Sequence, residues 1–222
     1  MLLVREKFRA LWRQAPATWS LVAATTLVSL VLILLDLVGV AAIGGGFIPA
    51  MVGARVVLPP DAPLMLPFWL TPLSATLVHA GVAHILLNMF VLAYCGHAVE
   101  RALGWRGVVI LYLAGAYAAA AGQWAQDPGS AMPMVGASGA ISALLGAFAL
   151  LFGKSRARAI GPLSARTVTV LWLAAAWIGV QLLTSIAGLS GGPLIAIGAH
   201  IGGFIAGLLL ARPLLLWRYR KA

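Results

Sequence analysis

An all-α membrane protein of six transmembrane helices, with both termini cytoplasmic, is the architecture this sequence predicts. Three observations predict it. Of the 222 residues, 62% are hydrophobic and 9% charged, and the mean hydropathy is +1.01, a balance far outside the range of soluble domains. Six apolar runs can be marked against a hydrocarbon layer about 30 Å thick: residues 19–42, 84–103, 107–126, 138–153, 167–188 and 197–216. Finally, 14 of the 15 Lys and Arg lie in segments that six spans put on one side. By the positive-inside rule that side is the cytoplasm, and only Arg55 faces the other way.

The first run follows a basic stretch holding Arg5, Lys7, Arg9 and Arg13. It is too long for the apolar core of a signal peptide and has no clear small-residue cleavage site after it, so it is expected to be retained. The chain therefore reads as a basic cytoplasmic segment 1–18, one six-helix membrane domain 19–216 and a basic tail 217–222. The net charge of +10 sits at the span ends, in Arg101 and Arg106, Lys154 to Arg166 and Arg212 to Lys221. Such placement argues for a bilayer as partner and against nucleic acid. Cys95, the only cysteine, falls in the second run and reads as a small apolar filler.

The longest connection, 43–83, opens with Gly44-Gly45-Gly46 and carries six prolines. Its apolar stretch Leu64–Leu70 is too short and too interrupted to span, and is expected at the interface. The glycine-rich, uncharged loop Ala187–Gly198 is either a lid or a plain connector. The fourth run is the unusual one, because 16 residues of helix reach only about 24 Å. Counted back from Lys154 at the cytoplasmic face, its amino end stops below the outer boundary, and "GSAMPMVG" must enter the membrane as irregular chain. Backbone of that kind is tolerated only when buried in protein or lining water. Ser138 is thus expected in an indented, wet site open to the outer side.

Ser138 alone is ambiguous, since small residues commonly line helix contacts in membranes. Its setting, Gly136-Ala137-Ser138-Gly139-Ala140, lacks the last glycine of a hydrolase elbow, and no strand precedes it. His200 changes the balance, because an ionisable residue inside a span is costly and marks function by default. Gly203 and Gly207 share its helical face, while Ser142 and Gly146 share that of Ser138. Two such faces let backbones approach closely, which would bring hydroxyl and imidazole to one depth. A Ser–His pair can perform acyl transfer, the imidazole taking the hydroxyl proton and returning it to the leaving amine.

In "HAGVAHILLNMF" (79–90), His84 and Asn88 stand four apart on one face and can each offer an N–H to a developing oxyanion. The backbone N–H of Ser138 is a further donor. His79 reads either as a helix terminator or as part of the site. Among the acids, Glu6 and Glu100 are expected in the cytoplasm and Asp61 and Asp127 in outer loops; only Asp36 is expected within a span, buried toward its outer end. With no carboxylate assigned to His200, the reading is a dyad. A haem or metal site fits poorly, because His84 and His97, 13 residues apart on one helix, stand about 20 Å apart. A transporter would show repeated broken helices, and none is evident.

Together these stretches resemble the rhomboid family of intramembrane serine proteases. The residues that carry the resemblance are "HAGVAHILLNM" (79–89), "ERALGWRGVVILYLAG" (100–115), "GASGAISALLGA" (136–147) and "AHIGGFIAG" (199–207), over residues 71 to 212. The resemblance implies a six-helix bundle in a bacterial-type inner membrane that cleaves transmembrane protein substrates without metal or cofactor, its site opening outward. It also implies Ser138 as nucleophile, His200 as general base, His84 and Asn88 as the oxyanion-stabilising pair, and Gly136, with Gly139, as supporting backbone. The alternative is a catalytically inactive relative that binds membrane-protein clients. Two positions depart from the family pattern. Ser142 stands where members often carry a bulkier residue, in some an aromatic against the imidazole, and the first outer loop lacks a frequent Trp-Arg pair.

Overall fold

The computed structural model describes residues 12–53, 63–153, 158–186 and 196–220. All regular structure among them is helical apart from two isolated β-bridges. The helices are α1 (Pro16–Leu34), α2 (Val38–Gly45), α3 (Thr71–Ser74), α4 (Val82–Val91), α5 (His97–Gln126), α6 (Ser138–Phe152), α7 (Ala165–Ile186) and α8 (Ile197–Tyr219). Four helical runs, Pro16–Leu34, Val82–Gln126, Ala165–Leu183 and Ile197–Tyr219, are long and apolar enough to cross a membrane. The protein is an all-α membrane bundle.

Helix boundaries differ from the sequence expectation in places with identifiable causes. The first run is not one helix but breaks after α1, where Asp36 adopts a left-handed φ of 55°. Asp and Asn tolerate that conformation better than other side-chain-bearing residues. Asp36, expected buried, is exposed at this corner. The second run contains a π-helical turn at Leu92–Gly96, and it meets the third without a loop at Gly104, where the 45-residue stretch folds back with a φ of 77° that suits glycine. Helix α8 continues to Tyr219, so the expected tail starting at residue 217 begins as helix. The Ala187–Gly198 loop and Arg55 lie largely or wholly outside the described residues.

At the centre stands α6, with every residue from Gly136 to Ala147 buried. Its neighbours reach it at backbone level. A Cβ at Gly203 would strike the Gly139 carbonyl, one at Gly207 the Ala143 carbonyl, and one at Gly146 the Phe204 carbonyl. The third partner is α5, where a Cβ at Gly115 would stand 2.6 Å from that of Ala143 and one at Gly202 of α8 would meet the Ala118 carbonyl. Lipid tails are as apolar as the helices, so dispersion across such close contacts holds the bundle instead of a hydrophobic drive between helices.

The amino end of α1 is tied to α5 by a buried acid. Glu100 accepts from Ala17 N at 2.9 Å, Thr18 N at 2.8 Å and Thr18 Oγ1 at 2.7 Å. Glu100, read in the sequence only as a cytoplasmic acid, caps orphan amides at the positive end of a neighbouring helix. At the other end of α1, Ser29 donates to Leu77 O at 2.7 Å. Both ends of this helix are thereby fixed against the chain that leads to the site.

Gly207→Leu should destabilise the fold by at least about 3 kcal/mol, the upper end of ordinary overpacking costs, because the obstacle is backbone. Gly179→Leu, which meets nothing within 4 Å, serves as control. Unfolding in detergent followed by circular dichroism should show a large loss for the first and almost none for the second.

Candidate active site

Ser138 is the first residue of α6, preceded by irregular chain from Asp127 to Ala137 that is pinned by the Phe47–Met134 bridge. Its approach needs glycine. Gly136 has a φ of 109°, and a Cβ there would lie 2.8 Å from His84 Cε1. The chain can therefore pass the His84 ring only without a side chain. Gly139 sits under α5, where a Cβ would meet that of Ala119 at 2.5 Å.

Helix α8 carries His200 to the same place. His200 Nε2 lies 2.9 Å from Ser138 Oγ, and the pair is nearly closed over, with 4% and 8% exposure. Gln181 Nε2 of α7 stands 3.1 Å from the same ring nitrogen. With its proton on Nδ1, the imidazole offers one lone pair at Nε2, for which the serine hydroxyl and the glutamine amide compete as donors. His200 Nδ1 is buried and has no hydrogen-bond partner among the described residues. Among the described residues no carboxylate reaches that nitrogen.

His84 faces Gly136 across the approach to the serine. Ala80 N donates to His84 Nδ1 at 3.4 Å, which leaves the proton on Nε2, the nitrogen turned toward Gly136. Asn88 is fully buried and donates one Nδ2–H to His84 O at 2.9 Å. Its Oδ1 has no partner among the described residues, and no hydrogen bond joins it to Ser138 or His200. The amino end of α6 has no side-chain cap, so its first amides are helix donors without intrahelical partners. Donors of these kinds can stabilise an oxyanion on a carbonyl attacked by a serine hydroxyl.

Two side chains of the site's surroundings, Trp177 and Gln181, escaped the sequence reading. Ser142 Oγ donates to Ser138 O at 2.7 Å and accepts from Trp177 Nε1 at 2.8 Å. The Trp177 ring meets the His200 ring edge-on, with centroids 6.2 Å apart. An aromatic from α7 thus packs on the imidazole where Ser142 leaves room. Gln181 carried a signal, being a polar residue in an apolar run. Trp177 carried none, since interfacial Trp is common.

His79 is no helix terminator. Fully buried, it places Nδ1 at 2.9 Å from Ser29 Oγ and accepts from Ala137 N at Nε2, 3.3 Å away. Because Ser29 gives its hydroxyl proton to Leu77 O, His79 must donate from Nδ1 and accept at Nε2. A neutral ring is required, and burial, with the His84 ring beside it, pushes His79 down to about 3. His79 therefore fixes the residue next to Ser138 without touching the reacting atoms. Among the described residues, no three His, Cys, Asp or Glu side chains stand close enough to hold a metal ion.

A family model described as "Rhomboid domain" matches residues 68–217, more than half of the chain. The chain belongs to the rhomboid family. It is 33% identical over 140 residues to the rhomboid protease GlpG of Pectobacterium atrosepticum, a match covering 62% of this chain and 46% of that protein. With GlpG of Yersinia pestis the identity is 32% over 139 residues, covering 62% and 45%. With the rhomboid protease GluP of Bacillus subtilis it is 31% over 145 residues, covering 65% and 27%. The matched stretch thus spans less than half the length of each of these rhomboid relatives.

The neutral-ring requirement at His79 has a measurable sign. Its folded-state value lies below the ordinary 6.5, so its contribution to stability is fully present above pH 6.5 and is lost as pH falls toward 3. The unfolding midpoint of the wild type should rise between pH 4 and pH 7, and His79→Asn should lower stability at pH 7 and flatten that slope.

Proposed function

We propose that this chain is an intramembrane serine endopeptidase that hydrolyses peptide bonds in or near transmembrane segments of membrane proteins. The 2.9 Å contact between Ser138 Oγ and His200 Nε2 is the observation that carries the reading. In the proposed reaction Ser138 Oγ gives its proton to His200 Nε2 and attacks the scissile carbonyl carbon. The oxyanion takes hydrogen bonds from the His84 Nε2–H, the free Nδ2–H of Asn88 and the Ser138 amide. His200 then protonates the leaving amine, and water releases the acyl group by the same steps in reverse. Substrate helices must unwind locally first, because a hydrogen-bonded helical carbonyl is poorly exposed. Small or helix-breaking residues near the outer interface should therefore mark good substrates.

The proposed topology is six spans with both termini in the cytoplasm and the site opening outward, within a membrane domain 19–216. Support comes from the fold-back at Gly104, which makes two limbs of the 82–126 run. Further support comes from the clustering of Lys and Arg at one end. The short α6, about 22 Å long over 15 residues, is consistent with a serine sunk below the outer boundary.

In proteoliposomes holding a transmembrane reporter substrate, Ser138→Ala and His200→Ala should each abolish cleavage while the fold persists. Removing one oxyanion donor typically costs about 2.7–4 kcal/mol, and with the load shared His84→Ala or Asn88→Ala should leave measurable activity. Fluorophosphonate labelling that vanishes in Ser138→Ala supports the enzyme. Wild-type turnover in Ser138→Ala would overturn the nucleophile, and folded wild type that neither cleaves nor labels would favour a client-binding protein.

A further inference from the structure

At the end of the bundle away from Ser138, a cavity of about 420 Å³ opens between the Gly104 fold-back and the end of α8. Its volume falls within the roughly 300–1,000 Å³ of small-molecule sites. Arg106, Arg218 and Arg220 line it together with Trp105 and Trp217. The basic lining is held in position. Arg218 Nη1 donates to Arg101 O at 2.9 Å and to Glu100 O at 3.2 Å, reaching across Gly104, where a Cβ would stand 3.5 Å from Nη1. Arg106 lies over the Trp105 ring, 5.2 Å from its centroid.

Among the described residues the only acid at this end is Glu100, and its carboxylate already takes three bonds from Ala17 and Thr18. A cluster of like charges around one cavity is unfavourable until a counter-charge enters, and planar guanidiniums suit phosphate oxygens.

The surroundings identify the kind of phosphate. On α8, Leu209 and Leu216 are 68% and 63% exposed, and Arg220 follows them at spacings of 11 and 4 on the same face. An apolar stripe that ends in a guanidinium has the shape of a lipid, with acyl chain along the leucines and headgroup at the arginine. Trp105 and Trp217 line the same cavity, and such rings are enriched at the headgroup level of membranes. We propose that this cavity is a binding site for the phosphodiester headgroup of an anionic phospholipid in the leaflet at the basic end of the bundle. The site is separate from the Ser138–His200 pair and stands whether or not the chain is a protease.

The test uses the full chain in uncharged detergent, titrated with short-chain phosphatidylglycerol, short-chain phosphatidylcholine or inorganic phosphate. Bound lipid is counted by native mass spectrometry and the unfolding midpoint is recorded alongside. Phosphatidylglycerol should bind saturably, raise the midpoint and weaken with added salt, while phosphatidylcholine and inorganic phosphate should do neither at equal concentration. Arg106→Gln with Arg220→Gln should weaken phosphatidylglycerol about thirtyfold, at about fivefold per arginine near a membrane surface. Arg158→Gln, an exposed change elsewhere, should leave it unchanged. If the double variant does not fold, Arg220→Gln alone should give the fivefold loss. Equal binding of phosphatidylcholine, an equal loss in Arg158→Gln, no loss in the arginine variants, or full replacement by inorganic phosphate would each overturn the proposal.

Discussion

The contact on which everything else depends is the backbone approach of α6 and α8. Where Gly203 and Gly207 lie against the Gly139 and Ala143 carbonyls, no side chain can intervene. Ser138 and His200 are each one turn or less from those contacts, so their separation is inherited from the helix spacing and not from flexible loops. A nucleophile and base set on rigid elements keep their geometry through the fluctuations of a lipid environment. The same logic explains why α5 also presents small residues, Gly115 and Ala119, to α6. With all three helices at close quarters, α6 has no freedom to slide.

A second layer converts that spacing into orientation. His79 ties the amide before Ser138 to Ser29 of α1, and Glu100 ties the other end of α1 to α5. Neither residue meets the hydroxyl, yet both limit where the α6 terminus can sit. Helix α7 is different. Among its described side chains only Val168, Trp177 and Gln181 are buried, and two of those three end on Ser142 or His200.

Much of this was legible in the sequence because membranes make polar residues conspicuous. His200, Ser138, His84 and Asn88 stand out against apolar runs, and the glycine spacing on two of those runs pointed to a shared face. The partners were harder. The capping role of Glu100 was hidden because sequence does not reveal that α1 begins beside it, and Asp36 looked buried because a helix break at an aspartate has no reliable pattern. Trp177 was invisible as a neighbour of His200, since its spacing from the histidine crosses a loop whose path sequence does not specify. What failed was knowledge of which helix ends meet, and that is decided by packing of the whole bundle.

Among the described residues His200 Nδ1 has no hydrogen-bond partner, and this shapes the energetics of the proposed chemistry. In a triad, a fixed acid neutralises the imidazolium throughout the reaction. Here the imidazolium would find its only nearby anion in the substrate oxygen facing it, so positive and negative charge would arise together and disappear together. The protein would then stabilise a transient dipole more than two separate ions, and any peptide bond held at a slightly wrong angle would lose both halves of that stabilisation at once. Fidelity toward substrate geometry would follow from what the histidine lacks.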